Sequence, residues 1–274
     1  MIPAVWSCIH HKLPLHVALR ALSAEGWRAT EIGTEHLVAL EEAPDTEAQI
    51  ELALRALAEV PVAAPQAHAF LAANVAQVDL AKGAEDRDRL RRHILLARRL
   101  GVRNVVMHPG RRRDITTRAE RAEVRRLNRE AFQSLGDCAG EHGVMIGLEN
   151  LMTRDFATPA DMLDLLAVID HPAIGLTLDT SHAHAAGLDV AAVAREFGHH
   201  LVALHISDNN RSGDAHLAPG GGTIDWLAVM QALREVGYAG IFNLEIPGER
   251  HPDAELQRLK LLHARRVAEW LTAL

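Results

Sequence analysis

The sequence has few cysteines and no long apolar runs, and both features narrow the class of protein. Its two cysteines, Cys8 and Cys138, have no CxxC spacing, so no disulfide framework is expected and a reducing cytoplasmic compartment is favoured. No segment reaches the roughly 18 uninterrupted apolar residues of a membrane-spanning helix. The first residues lack the basic start and apolar core of a signal peptide. We therefore expect a soluble cytoplasmic protein without a membrane partner.

Excess positive charge and aromatic side chains are also lacking. The 274 residues carry a formal net charge of −7, and aromatic residues make up only 4% of the chain. Broad attachment to nucleic acid normally needs a basic surface, and single-stranded nucleic acid also needs aromatic platforms. A nucleic-acid partner is thus disfavoured and a small-molecule substrate is favoured. The sequence leaves open whether the chain forms a homo-oligomer.

What the sequence does have is a regular alternation of β-rich and helical segments. The eight predicted strands are 4–9, 29–33, 60–68, 102–108, 144–149, 174–179, 201–207 and 241–246. The helical patterns are 14–26, 46–59, 84–101, 121–143, 158–169, 189–198, 223–237 and 255–274. Eight strands that alternate with eight helices predict an α/β fold of the (β/α)8 TIM-barrel class, with residues 1–274 as one domain. A doubly wound sheet is the alternative, but no glycine fingerprint follows the first strand.

Histidine is abundant, with 17 residues against one tyrosine, and many histidines stand at predicted strand ends together with carboxylates. In a barrel these ends meet at one mouth. Crowded carboxylates repel each other unless cations are present, and a mixed set of His and Asp or Glu suits Zn²⁺ or Mn²⁺. We therefore predict a divalent-metal site that holds between one and three ions. The candidate ligands are His68, His108, Glu149, Asp179, His182, His205, Asp214, His216 and Glu245.

A simpler interpretation exists for each of these residues taken singly. In "LTLDTSHAH" (176–184), Asp179 or Ser181 can cap the next helix, and a lone buried histidine is commonly structural. Capping accounts for one polar residue and leaves the histidines unexplained. Six strands that end in the same way favour a site.

The motifs "HPG", "LEN", "LDTSHAH", "HISDN" and "HLAPGGGTIDW", in this order, resemble the xylose isomerase-like barrel superfamily. That group holds sugar and sugar-phosphate isomerases and epimerases, and apurinic endonucleases of the endonuclease IV type. Resemblance to the epimerases implies one ion held by Glu149, Asp179, His205 and Glu245. Resemblance to the endonucleases implies a three-zinc cluster with further ligands, which would be His68, His108, His182, Asp214 and His216.

The resemblance leaves two reactions open. As an isomerase or epimerase of a small sugar or sugar phosphate, the protein would stabilise an enediolate, with Glu149 and Glu245 moving the proton and His182 contacting the substrate. As a zinc-cluster phosphodiesterase, it would use its ions to activate water and clamp the ester. A barrel that binds without turnover is the third class, and the carboxylate pair Glu149 and Glu245 disfavours it. The first reaction is our prediction, and the second is the alternative.

A basic loop follows the fourth predicted strand. "HPGRRRD" places Arg111, Arg112 and Arg113 on the mouth side, where guanidinium groups can bind a phosphate. The alternative is a solvated loop whose charges balance nearby acids. We predict these three arginines as substrate contacts of a phosphorylated ligand.

Overall fold

The computed structural model describes residues 1–112, 115–152, 155–248 and 253–274. Eight parallel strands in these ranges form one sheet, with the order β7-β6-β5-β4-β3-β2-β1-β8. The strands are β1 (Ile2–Trp6), β2 (Ala29–Ile32), β3 (Ala63–His68), β4 (Asn104–Met107), β5 (Met145–Glu149), β6 (Ile174–Asp179), β7 (Leu201–His205) and β8 (Ile241–Leu244). The predicted TIM barrel is confirmed.

The barrel closes between β7 and β8 through residues just beyond the strand ends. The amide of Ile206 donates to the carbonyl of Asn243 at 2.8 Å, and the amide of Glu245 donates to the carbonyl of Ile206 at 2.9 Å. These two bonds form a parallel bridge between Ile206 and Leu244. The closure therefore fixes Glu245 next to the end of β7, which is where His205 lies.

Helices cover the outside of the barrel. Those of the described residues are α1 (Leu15–Ala24), α2 (Thr34–Glu41), α3 (Thr46–Glu59), α4 (Leu80–Arg99), α5 (Arg118–Glu141), α6 (Pro159–Ile169), α7 (Thr180–Ala185), α8 (Val190–Phe197), α9 (Trp226–Glu235) and α10 (Ala254–Ala273). Most begin at a capping side chain that accepts from a free amide of the first turn. One example is Thr117, which forms a reciprocal capping box with Glu120 at the start of α5. Such caps fix the points at which the mouth loops turn back into helices.

Three helices near the mouth differ from the sequence prediction. Helices α2 and α7 were not predicted, and α9 begins at Trp226, with Asp225 as its N-cap, rather than at residue 223.

Asp179 is a helix cap, in agreement with one interpretation of "LTLDTSHAH". It accepts from the amide of His182 at 2.6 Å and so caps the short α7, not the helix that starts at Val190.

The strand register decides which side chains meet inside the barrel. Asp179 on β6 lies opposite His205 on β7, and Glu149 on β5 lies opposite Thr177 on β6. Alternate residues of each strand face the same side, so the ends of β5 to β8 present ligating groups inward while the outward side chains pack under the helices. Below these groups the interior is closely packed, since a Cβ at Gly147 would overlap Oγ1 of Thr177.

No helix in the described part of the chain combines the length and the apolar character that crossing a bilayer would require.

Candidate metal centre at the barrel mouth

Four predicted residues from the ends of β5 to β8 converge on one point. Glu149, Asp179, His205 and Glu245 each offer one ligand atom, and these atoms all lie within 4.8 Å of one another. Nδ1 of His205 lies 3.2 Å from Oε2 of Glu149 and 3.2 Å from Oε2 of Glu245. All four residues are buried or nearly so. The arrangement matches the size and donor composition of a single divalent-ion site.

The same four residues carry buried atoms without a hydrogen-bond partner in the described structure. These atoms are Oε2 of Glu149, Oδ2 of Asp179, Nδ1 of His205 and Oε2 of Glu245. A buried polar atom without a partner costs roughly 1–3 kcal/mol, and more when it is charged. Four such atoms that point to one place fit a cation that would satisfy them together. Zn²⁺ and Mn²⁺ suit this mixed set of one imidazole and three carboxylates.

A second donor group shares Glu149 with the first. His68, at the end of β3, and His108, just after β4, place their Nε2 atoms 3.4 Å and 3.2 Å from Oε2 of Glu149. The three ligand atoms again lie within 4.8 Å of one another. Nδ1 of His68 is 2.7 Å from the carbonyl oxygen of Ala69. Because a carbonyl only accepts, Nδ1 carries the proton and Nε2 is left free for a ligand.

A third group lies at the rim. Nε2 of His216 is 2.9 Å from Oδ2 of Asp214, and Nε2 of His182 is 3.4 Å from the same oxygen. The Nδ1 atoms of these two histidines donate to the carbonyls of Glu245 and Asn150, both at 2.9 Å. His182 also lies 3.3 Å from Oε1 of Glu149, so it connects the rim to the centre. The structure thus brings together all nine residues proposed as ligands from the sequence.

The loop that carries Asp214 and His216 is held by Asp208. Oδ2 of Asp208 accepts hydrogen bonds from the amide of Gly220 and from Nε1 of Trp226, each at 2.9 Å. Two backbone hydrogen bonds join Asp208 to Leu217. His216 has φ of 45°, a left-handed conformation that is uncommon for residues other than glycine. The anchored loop therefore holds the imidazole of His216 over the mouth at some cost in backbone energy.

The two glutamates of the centre have pKa values displaced in opposite directions. Burial raises the pKa of Glu245 to about 8, and neighbouring Asp179 and Glu149 add to the rise. Burial also acts to raise the pKa of Glu149, but His205 and His108 outweigh it and hold that pKa well below its ordinary value. In the metal-free protein the two carboxylates therefore favour different protonation states.

The pKa values of the histidines are shifted by the neighbouring carboxylates and by burial. Burial alone would lower the pKa of His182, but Asp179, Asp214 and Glu149 raise it to about 12. The pKa of His205 is raised well above its ordinary value because Glu31, Glu245 and Glu149 outweigh burial. His108 is the exception, since burial dominates and lowers its pKa. Without a metal, imidazolium charge compensates the carboxylates, and no Lys or Arg of the described residues is ion-paired with them.

One carboxylate of the interior could not be identified as part of the site from the sequence. Glu31, on β2, is fully buried, and its Oε2 lies 2.9 Å from Nε2 of His205 on the far side of the barrel. Nε2 of Gln66, on β3, donates to the same oxygen at 2.6 Å. The one signal in the sequence was a lone charged residue inside the short strand "ATEI", which by itself does not indicate a partner.

The arginine loop is only partly described. Arg111 is exposed, whereas Arg112 donates from Nε to the carbonyl of Ala76 at 2.8 Å and from Nη2 to the carbonyl of Gln77 at 3.2 Å. Arg112 thus braces the loop that follows β3. Arg113 lies outside the described residues. A role of the three arginines in substrate binding stays a prediction.

Comparison with known proteins identifies the family. The model of the xylose isomerase-like TIM barrel family matches residues 19–272, which is nearly the whole chain. The chain belongs to this family. A crystal structure of IolI protein with a bound zinc atom superposes with a TM-score of 0.78 at 19% identity, over 100% of this chain and 97% of the other. That likeness establishes the shared fold.

Relatives within the family match more locally. The chain is 31% identical over 146 residues to Uncharacterized protein MJ1311 of Methanocaldococcus jannaschii, which covers 52% of this chain and 50% of the relative. It is 26% identical over 157 residues to inosose isomerase of Bacillus subtilis, covering 54% and 55%. It is 29% identical over 129 residues to D-psicose 3-epimerase of Enterocloster bolteae, covering 46% and 40%. The chain therefore spans about half the length of these relatives.

Proposed function

We propose that the protein is a divalent-metal-dependent isomerase or epimerase that acts on a small sugar or sugar phosphate. One structural observation carries the proposal: Glu149 and Glu245 both lie 3.2 Å from Nδ1 of His205 at the barrel mouth. Two carboxylates that flank one ion site supply the acid and the base for proton transfer at carbon. The names of the inosose isomerase and psicose epimerase relatives point to the same chemistry.

In this proposal Glu149, Asp179, His205 and Glu245 hold the ion. When bound, a divalent ion polarises the carbonyl and hydroxyl oxygens of the sugar and offsets negative charge that develops on them. The contribution of the chain is to fix four donor atoms within 4.8 Å of one another in a buried place. A low dielectric around these groups strengthens their effect on the substrate.

The proton transfer uses the two glutamates. One carboxylate removes the proton from the carbon next to the carbonyl, and the electron pair of that bond forms the enediolate. The other carboxylate returns a proton. Return to the opposite face of the same carbon gives an epimer. Return to the former carbonyl carbon gives an isomer when the hydroxyl proton also passes to the former carbonyl oxygen. His182, which spans the centre and the rim, would donate a hydrogen bond to a substrate hydroxyl.

The test is solvent-proton exchange. The metal-loaded protein is incubated in D2O with a panel of ketoses and aldoses, free and phosphorylated, and carbon-bound deuterium is measured by NMR. We expect deuterium at the carbon next to the carbonyl of one substrate class, and its loss in Glu245→Gln. Glu141→Gln, an exposed change on α5, is the control. No exchange with any member of the panel would contradict the proposal.

Zinc-cluster phosphodiester hydrolysis is the second candidate, because the other two donor groups favour it. The His68, His108 and Glu149 group and the His182, Asp214 and His216 group extend the centre beyond the needs of one ion. The two candidates differ in zinc content after Asp214→Ala. A one-ion enzyme keeps its tight ion, whereas a cluster enzyme loses zinc together with hydrolysis of bis(4-nitrophenyl) phosphate.

A further inference from the structure

We propose that Glu31 is a positioning residue for the metal centre, and that it acts through His205. The carboxylate of Glu31 fixes which nitrogen of His205 carries the proton and so directs Nδ1 to the ion. The inference rests on the metal site of the proposed function and assigns a role to a residue outside the ligand set. Glu31 stands on β2, which is not one of the four strands that supply the centre.

The geometry of His205 makes its two nitrogens unequal. Nε2 lies 2.9 Å from Oε2 of Glu31, while Nδ1 faces Glu149 and Glu245. The carboxylate of Glu31 therefore accepts a hydrogen bond from the Nε2–H group of His205. With the proton on Nε2, Nδ1 is unprotonated and its lone pair can bind the ion. This is the tautomer that a metal ligand requires.

His205 differs in this respect from its neighbours. Three other histidines of the centre donate from Nδ1 to backbone carbonyls: His68 to Ala69, His182 to Asn150 and His216 to Glu245. A neutral carbonyl orients a ring but adds no net charge. The carboxylate of Glu31 orients the ring and also makes it a more basic ligand.

The surroundings of Glu31 are built to hold it in this position. Glu31, Gln66 and His205 are all fully buried. Nε2 of Gln66 donates to Oε2 of Glu31 at 2.6 Å and also lies 3.3 Å from the carbonyl oxygen of Leu204, which precedes His205. A buried carboxylate costs several kcal/mol unless it is well paired. A group held at such a cost against a ligand histidine fits a role in orienting that ligand.

The test is the affinity for Zn²⁺, measured by competition with a chelator, in wild type, Glu31→Gln and Glu31→Leu. Loss of an outer carboxylate weakens metal binding about 10- to 100-fold, and we expect this loss in Glu31→Leu. Glu31→Gln keeps an accepting oxygen without the charge and should fall between that variant and wild type. The absorption spectrum of the Co²⁺-loaded protein should shift in the same order.

The chain offers a matched control. His10 and Glu25 form another histidine–glutamate pair at 3.0 Å, outside the metal centre. Glu25→Gln should leave the Zn²⁺ affinity unchanged. If Glu31→Leu does not fold, the isosteric Glu31→Gln carries the test, with the thermal stability of the metal-free protein as the check on folding.

A double-mutant cycle separates positioning from general structural support. If Glu31 acts through His205, Glu31→Gln causes no further loss of Zn²⁺ affinity in a His205→Gln background. Equal losses in both backgrounds, or a folded Glu31→Gln with wild-type affinity, would overturn the inference alone. A wild-type protein that binds no divalent ion would overturn the proposed function as well.

Discussion

Oε2 of Glu149 lies 3.2 Å from Nε2 of His108, and this carboxylate is also a member of the four-residue group with Asp179, His205 and Glu245. Glu149 is therefore shared by two donor groups. The relationship explains the low pKa of Glu149, because the histidines on both sides outweigh the effect of burial. It also makes Glu149 the residue whose loss should affect the centre most.

Glu149→Gln should weaken metal binding more than any single change at the rim, because it removes a charge from both groups. As a proton acceptor is also lost, turnover should fall by roughly 10²- to 10⁴-fold. Metal content per chain and single-substrate kinetics measure the two effects. Normal metal content together with normal activity would exclude Glu149 from the centre.

Metal should stabilise the fold, because four buried donor atoms gain a partner. A ligand that binds only the native state at 100 times its dissociation constant adds about 2.7 kcal/mol. We expect the thermal midpoint of chelator-treated protein to rise on addition of Zn²⁺ or Mn²⁺, and the rise to be smaller in Asp179→Asn. An equal rise in both proteins would place the stabilising ion elsewhere.

Gly222→Ala should disturb the loop that carries Asp214 and His216. A Cβ at residue 222 would overlap the carbonyl oxygen of Asn209 and Oδ1 of Asp208. Such overpacking typically costs about 1–3 kcal/mol. Urea unfolding measures the cost.

Gly140→Ala is the matched comparison for Gly222→Ala. Gly140 lies in α5, and a Cβ there meets only Cβ of Ala173 at 3.6 Å, an ordinary contact. Replacing a helical glycine by alanine should stabilise the protein by up to about 1 kcal/mol. If both glycine variants had the same effect on unfolding, the contact at residue 222 would not be the cause.

His36 should make stability depend on pH. Burial lowers its pKa below the ordinary value of 6.5, and its Nε2 donates to the carbonyl of Leu13 at 3.0 Å. As pH falls below 6.5, the unfolded chain takes up a proton that the folded chain resists, so stability is present above that pH and declines below it. One such group contributes at most about 1.4 kcal/mol per pH unit.

The check on His36 compares unfolding free energies between pH 5 and pH 8 in wild type and in His36→Gln. The variant should be less stable at pH 8, where its hydrogen bonds are lost, and should show a shallower decline toward pH 5. His263→Gln, at an exposed position of α10, serves as control. Parallel curves for wild type and His36→Gln would show that His36 does not titrate as described.

The sequence predicted the barrel and the ligand cluster for the same reason. Parallel strands all end at one mouth, so a residue such as His205 or Glu245 needs only a strand assignment to be placed near the others. That reasoning does not depend on exact boundaries, and strands predicted a few residues too long still placed these residues at one mouth. The family resemblance added the distinction between the four-residue group and the further ligands.

Other features could not be predicted because they depend on tertiary contacts. Helix α2 has eight residues, too few for a clear apolar period, and it follows Gly33 directly. The role proposed for Glu31 depends on a partner 174 residues later in the chain. Similarly, the letters of "HPGRRRD" do not reveal that Arg112 donates to the carbonyls of Ala76 and Gln77.

The most direct test of the account is anomalous scattering at the zinc and manganese edges from crystals of metal-loaded protein, with metal content per chain measured on the same preparation. We expect a peak bonded to Glu149, Asp179, His205 and Glu245. Additional zinc peaks at His68 and His108, or at Asp214 and His216, would favour the hydrolytic candidate. A protein that takes up no divalent ion between the four residues would contradict the central claim.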